Sequence, residues 1–259
     1  MKTIILCGGT GTRLKEETEF KPKPMVYVGK KPILWHIMQI YAAAGFNEFI
    51  LALGYKADYI KDFFLNQKAF TTDFTLDTYT HKAKYHFENR RVAEKFKITF
   101  VDTGIETMPG ERILRCKDYI PEKDREFMVS YGDGVADIDI RKVVTFHRKQ
   151  KTLGTITGVH PRSRFGMIQI MQHNKIKGFD EKPMMSEWIN AGFMVFEKEA
   201  FSYFKEGEME HAALRRLASG NNLSVYKHEG FWYCMDTYKE VADLNELWQQ
   251  PHPSWKIWE

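Results

Sequence analysis

No run of about 20 apolar residues occurs anywhere in this 259-residue chain, so a membrane-spanning helix is not expected. Cysteine is scarce. Cys7, Cys116 and Cys234 are odd in number and far apart, which gives no disulfide framework and no paired zinc-ligand spacing, and buried, reduced thiols are expected instead. Blocks of like charge are also missing: 38 Lys and Arg are interspersed with 34 Asp and Glu, which argues against a face built for nucleic acid and suits a small anionic substrate better. The chain passes from Met1-Lys2 straight into the apolar run Thr3 to Cys7, too short for a signal peptide, so a cytoplasmic protein is expected. There is no repeat and no flexible linker, and no Ser-His-Asp or Cys-His set is legible.

What is present is an ordinary globular composition, 43% hydrophobic and 28% charged, and a regular alternation of patterns. Thr3 to Cys7, Phe49 to Leu53, Ile98 to Val101 and Phe127 to Ser130 are short apolar runs bounded by polar turns and predict buried strands. Between the first two, Pro32 to Ala44 has apolar residues at Ile33, Ile37, Ile40 and Tyr41, with a proline suited to the first turn and Gly45 suited to the stop; this predicts a helix. Tyr59 to Leu65 and Ile140 to Arg148 are further helical candidates. Strands alternating with helices imply parallel strands and right-handed crossovers, hence an α/β class with a doubly wound, mostly parallel sheet. From Thr71 to Lys97 polar and aromatic residues alternate without a helical period, which predicts an inserted hairpin or flap. Beyond Thr152, strands are expected at Thr155 to Val159, Met167 to Ile170 and Ala191 to Phe196, and helices near Ala212 to Ala218 and Glu240 to Trp248. One continuous domain over 1–259 is expected, with a first part of about 1–135 and a smaller C-terminal lobe of about 136–259.

Leu6-Cys7-Gly8-Gly9-Thr10-Gly11-Thr12-Arg13-Leu14 is a strand running into a glycine-rich turn that ends in a cation. Glycines let the backbone approach an oxyanion and turn successive N–H groups towards it, and the Arg13 fork can grip phosphate. The dinucleotide fingerprint is excluded because Leu14 stands where its third glycine belongs, and the Walker pattern because Gly11-Thr12-Arg13 replaces its Gly-Lys-Ser/Thr. A Gly-rich structural turn is the plainer alternative. In Lys21-Pro22-Lys23-Pro24-Met25 two prolines restrict the directions of two ammonium groups, as a phosphoryl transition state would require; a solvated charged loop reads the same way. Phe127 to Gly134 reads as a buried strand delivering Asp133 to a glycine-flanked turn at a sheet edge, and Asp236 follows the apolar run Phe231 to Met235. Such a pair, with substrate phosphate oxygens, suits Mg²⁺. By its local sequence alone each aspartate is more often a turn former or helix cap. His36 and Phe231-Trp232-Tyr233 read as core or pocket wall.

These segments, in order with Lys31 to Met38, Val101-Asp102-Thr103-Gly104 with Thr107-Met108, Phe165-Gly166, Glu181-Lys182-Pro183, Trp188-Ile189-Asn190, Gly230 to Thr237 and Trp255 to Trp258, resemble the glucose-1-phosphate cytidylyltransferases among the sugar-1-phosphate nucleotidyltransferases, over essentially the whole chain. The resemblance implies a Rossmann-like nucleotidyltransferase fold whose C-terminal lobe binds the sugar, and transfer of cytidylyl from CTP to α-D-glucose 1-phosphate. It implies nucleotide contacts from Leu6, Gly8, Gly9, Gly11, Thr12, Arg13, Lys23, Thr107 and Arg112, with Arg13 and Lys23 catalytic. It also implies Mg²⁺ on Asp133 and Asp236, and a sugar pocket from Gly166, Glu181, Lys182 and Asn190. A homo-oligomer is implied too, although the tail at Trp255 and Trp258 can equally pack on its own chain. A precursor for surface polysaccharide would be the product. Tyr27, Ala212 and Tyr233 depart from the family's usual proline or glutamate, glutamate and glutamine, and put the sugar in doubt more than the reaction. The open alternatives are UTP or dTTP, another small-molecule phosphate, or a catalytically silent nucleotide-binding protein.

Overall fold

The computed structural model describes residues 1–86 and 96–258. From β1 (Thr3–Leu6) the chain passes a 3-10 turn (Thr12–Leu14), α1 (Lys15–Thr18), a second 3-10 turn (Lys23–Met25) and the ribbon β2 (Tyr27–Val28) with β3 (Lys31–Pro32). Helix α2 (Ile33–Ala43) returns it to β4 (Glu48–Leu53). Pro32 stands at the start of α2, where a missing N–H costs nothing, and Gly45 (φ +88°) follows its end, letting the N–H groups of Gly45 and Phe46 reach back to Ala42 and Tyr41. Helices α3 (Ala57–Leu65) and α4 (Gln67–Thr71) lead to a hairpin of β5 (Phe74–Asp77) and β6 (Lys82–Tyr85), its turn held by Asp77 Oδ1 accepting from the N–H groups of Tyr79 and Thr80. The hairpin expected between Thr71 and Lys97 is therefore present, while the part of that segment at 87–95 lies outside the described residues.

There follow β7 (Lys97–Asp102), α5 (Pro109–Arg115), β8 (Glu126–Tyr131), β9 (Gly134–Ala136), α6 (Ile140–Gln150), β10 (Gly154–Val159) and an exposed hairpin of β11 (Met167–Ile170) with β12 (Ile176–Asp180). The chain continues through β13 (Ile189–Asn190), β14 (Met194–Glu197), α7 (Glu210–Ser219), β15 (Leu223–Lys227), β16 (Trp232–Cys234) and α8 (Tyr238–Trp248). In the central sheet β7, β4, β1 and β8 run parallel, β14 lies antiparallel on β8, and β10 antiparallel on β14, with β13 and β15 both paired to β10. The mixed, largely parallel α/β sheet is the expected class.

Strand β4 shows why these runs are strands. Phe49, Leu51 and Leu53 face the core shared with Ile37 and Tyr41 of α2, and Ile50 and Ala52 face the opposite core with Ile113 of α5 and Leu217 of α7. A strand buried on both faces must be apolar throughout, which is what the sequence shows. After β1 the chain builds β4 and β7 on one side, then crosses to β8 on the other. Strand β1 is thus the switch point, and a crevice opens at its carboxyl end. Among the described residues no helix is long and apolar enough to cross a membrane.

The C-terminal tail packs on its own chain. Trp255 is fully buried and its Nε1 donates to His36 Nδ1 (3.4 Å), while Trp248 and Trp258 stand at 4.6 and 6.0 Å from the His36 ring. Since Nδ1 accepts, Nε2 carries the proton and donates to Val28 O at 2.9 Å. His36 is a core residue, as its helix-face position predicts. Burial pushes its imidazole down from 6.5 to about 4, outweighing the backbone acceptors at Val28 and Lys31 that favour the charged form. The folded chain therefore prefers the neutral ring: the stability it contributes is full above pH 6.5 and falls away as the pH drops to about 4. The loss expected over that window is about 3 kcal/mol. Unfolding measured across it should fall less steeply for His36→Gln; an unchanged slope would remove His36 from the account.

Candidate functional site

A cavity of about 530 Å³ opens at the carboxyl ends of β1 and β8. Its walls include Leu6, Gly8, Gly9, Gly11, Thr12 and Arg13 from the glycine loop, Lys23 and Pro24 from the Lys-Pro-Lys-Pro segment, Thr107 and Arg112 from the entry to α5, and Asp133 and Asp236. Every residue that the resemblance implies for nucleotide and metal is therefore brought to one pocket. Cys7, Pro109, Tyr131, Gly132, Met209 and Glu210 complete it.

The two aspartates meet because the ribbon β9–β16 pairs antiparallel, Gly134 opposite Cys234, so the residues flanking those partners fall side by side. The N–H of Met235 donates to Asp133 O at 2.9 Å and extends that register. Between the carboxylates stands one ammonium: Lys23 Nζ lies 2.6 Å from Asp133 Oδ2 and 2.7 Å from Asp236 Oδ1. Burial pulls the Lys23 pKa down, but the two carboxylates outweigh it and hold the ammonium above its ordinary value. Asp236 also meets Arg13 Nη1 at 3.0 Å and Arg164 Nη2 at 3.4 Å. Burial raises its pKa, yet Lys23 and Arg13 together bring it below the usual carboxylate range. Helix α8 is capped by Thr237, whose side chain accepts from Glu240 N while Glu240 accepts from the N–H groups of Asp236 and Thr237 (2.7 and 2.8 Å). That capping box leaves the Asp236 carboxylate free for the pocket. Two carboxylates converging on one cation form an oxygen-only donor pair, and that donor set fits a hard divalent ion such as Mg²⁺.

Arg112 plays a part that its position alone does not suggest. Its side chain is buried and its guanidinium donates to Leu53 O, Gly104 O, Thr103 Oγ1, Gly8 O and Ile105 O at 2.6–3.1 Å. The fork pins the glycine loop, the end of β4 and the 103–105 turn to one another. A methyl group on Gly8 would come within 2.1 Å of Arg112 Nη1, whereas one on Gly9 would meet nothing within 4 Å among the described residues. Gly8→Ala is accordingly expected to cost about 1–3 kcal/mol of stability and Gly9→Ala to cost under about 0.5. Equal effects in thermal unfolding would contradict the packing of Arg112 beneath the loop.

The residues implied for the sugar are not gathered in this cavity. Gly166, Glu181 and Lys182 sit at the base of the exposed β11–β12 hairpin, where a Cβ on Gly166 would strike Phe179 and approach Glu181 Oε2 at 3.1 Å. Lys182, in the left-handed region (φ 48°), is 3.7 Å from Glu181. Asn190 reaches the pocket wall indirectly, its Nδ2 donating to Tyr131 Oη at 3.2 Å, and Tyr131 in turn donates to Glu210 Oε1 at 3.0 Å. Neither Glu210 nor Arg164 is marked by its local sequence, and Tyr131 is carried only within the strand read over Phe127 to Gly134. The three departures from the family pattern stand apart from the cavity wall. Tyr233 Oη donates to Asp243 Oδ2 of α8 at 2.7 Å, Tyr27 O accepts from Asn245 Nδ2 of α8 at 3.3 Å, and Ala212 lies in the first turn of α7.

The sequence profile of the family described as Nucleotidyl transferase matches residues 2–237. The protein named "Probable glucose-1-phosphate cytidylyltransferase" of Bacillus subtilis (strain 168) is 41% identical over the full length of both chains. The glucose-1-phosphate cytidylyltransferase of Salmonella typhi is 40% identical, again over the full length of both. Among solved structures, UDP-glucose pyrophosphorylase complexed with UDP-glucose superimposes with a TM-score of 0.68 at 17% identity, covering 95% of this chain and 97% of the other, a likeness of fold. The chain belongs to the nucleotidyl transferase family, and within it shares its whole length with the glucose-1-phosphate cytidylyltransferases.

Proposed function

We propose that this protein transfers the cytidylyl group of CTP to glucose 1-phosphate, giving CDP-glucose and pyrophosphate. The observation that carries this reading is the convergence of the glycine loop, Arg13, Lys23, Asp133 and Asp236 on one cavity, in a chain 40% identical throughout to the enzyme of that name from Salmonella typhi. A terminal oxygen of the sugar phosphate attacks the α-phosphorus of CTP, and the bond from that phosphorus to the bridging oxygen breaks as pyrophosphate departs with the electron pair. No side-chain nucleophile is required, so catalysis rests on positioning and charge. The loop N–H groups and Arg13 hold the triphosphate. Lys23 balances charge developing on the α-phosphoryl oxygens, and Arg112 keeps the loop in shape from beneath. Asp133 and Asp236 would hold Mg²⁺, which when bound supplies further neutralisation of phosphate charge.

On the sugar side, Glu181 accepts hydroxyl protons, Lys182 pairs with the sugar phosphate, Gly166 permits close approach and Asn190 orients Tyr131. The halves 1–135 and 136–259 act as nucleotide and sugar parts of one domain. A cytoplasmic homo-oligomer supplying a surface-polysaccharide precursor is the setting this reading implies. The test is a matrix of CTP, UTP and dTTP against sugar 1-phosphates, repeated with Lys182→Ala. CTP with glucose 1-phosphate should give the highest kcat/KM, and Lys182→Ala should raise KM for the sugar phosphate alone. A preference for UTP or dTTP would replace the nucleotide, and equal rises in both KM values would remove Lys182 from the sugar pocket.

A further inference from the structure

At the opposite end of β8 from Asp133, about 20 Å away along the strand, lies a second cluster that the transferase chemistry leaves unused. Glu126 opens β8, Glu197 closes β14, and the two are directly paired across the antiparallel ladder. Like charges placed opposite one another on adjacent strands are destabilising. His147 of α6 comes down on the pair, and one ligand atom from each of the three lies within 4.8 Å of the others.

His147 is 1% exposed, and among the described residues its Nε2 has no hydrogen-bond partner; the nearest carboxylate oxygen there, Glu197 Oε1, stands at 3.6 Å. The other ring nitrogen, Nδ1, is held by the hydroxyl of Thr155 at 2.8 Å, and that hydroxyl meets Ser224 Oγ at 2.7 Å. Nε2 is turned, away from water, towards the two glutamates. An imidazole whose far nitrogen is held by a hydroxyl, aimed at carboxylates, is the arrangement that metal-ligating histidines take.

We infer that Glu126, His147 and Glu197 form a second, structural metal site for a divalent transition-metal ion of the zinc class, which ties α6 to the β8–β14 edge. One nitrogen and two oxygens suit zinc better than the oxygen-only pocket does, with water as the fourth ligand. Arg148 donates to both oxygens of Glu126 at 2.6–3.1 Å and would orient that ligand from behind. The ion would add to Arg148 in offsetting the repulsion between the paired glutamates and would satisfy the orphaned nitrogen at once.

The full chain, without a histidine tag and stripped of metal, is titrated with Zn²⁺ by calorimetry in millimolar Mg²⁺, which occupies the carboxylate pair of the nucleotide cavity. One Zn²⁺ per chain at micromolar Kd or tighter is expected, and Zn²⁺ at a hundredfold its Kd should raise the Tm by about 5–10 °C. His147→Gln and Glu197→Gln should each weaken binding at least a hundredfold. Glu197, being a third exposed, is the substitution that keeps the fold, and its unfolding in chelator verifies this. No Zn²⁺ uptake by the unmodified chain, or undiminished uptake by Glu197→Gln, overturns the site, and neither result bears on the transferase assay.

Discussion

Lys23→Ala is expected to lower kcat by two orders of magnitude or more while changing the KM for CTP far less. The ammonium sits between Asp133 and Asp236, 2.6 and 2.7 Å away, on the cavity wall shared with the glycine loop. An ammonium so held is preorganised: it needs no rearrangement when negative charge grows on the α-phosphoryl group, and losing one preorganised donor costs about 3–4 kcal/mol of transition-state stabilisation. Binding of the triphosphate draws also on Arg13 and the loop N–H groups, so the ground state loses less. The alternative reading, that Lys23 only separates two carboxylates, predicts a fall in thermal stability with nearly normal kcat in the folded fraction. Steady-state kinetics on material shown to be folded separates the two, and near-normal turnover would end the catalytic assignment.

The second large effect is expected at the carboxylates. Asp133→Asn and Asp236→Asn should each lower kcat/KM by a factor of a hundred or more, and excess Mg²⁺ or Mn²⁺ should restore part of the loss. CTP and a sugar phosphate bring about six negative charges, and Arg13, Lys23, Arg112 and Lys182 would answer only about four; two aspartates among so many phosphates make sense as anchors for a divalent cation. Both carboxylates contact one lysine nitrogen, so they lie close enough to share an ion. Chelator should abolish activity of the unmodified chain. Full activity in chelator, or variants whose defect is indifferent to metal concentration, would contradict the shared site.

How much of this was legible beforehand depended on whether the signal was local. The parallel strands announced themselves because burial on both faces demands unbroken apolar runs, as in Phe49 to Leu53, and α2 because Pro32 and Gly45 mark its ends. The glycine loop, Lys23, Asp133 and Asp236 could be named individually. The meeting of the two aspartates was expected from the resemblance and from charge, and both do reach one lysine nitrogen; what no local stretch of sequence shows is the Gly134–Cys234 register of the ribbon that brings them there. Arg112 was visible as a pocket residue, but its five backbone and hydroxyl acceptors come from β4, the glycine loop and the 103–105 turn. Nothing in the letters around His147 distinguishes it from any histidine on a helix face. Its orphaned Nε2 exists only because two strand ends and a helix converge. The sugar side was read through the family alone, and Gly166, Glu181 and Lys182 stand on an arm outside the cavity that holds the rest.

The central claim is that a terminal oxygen of glucose 1-phosphate attacks the α-phosphorus of CTP. It is tested most directly by supplying glucose 1-phosphate labelled with ¹⁸O at its three terminal phosphate oxygens, together with CTP and Mg²⁺, and weighing the products by mass spectrometry. The account predicts CDP-glucose carrying all three labels and pyrophosphate carrying none. Label in the pyrophosphate, or no CDP-sugar from any sugar 1-phosphate offered, would contradict it.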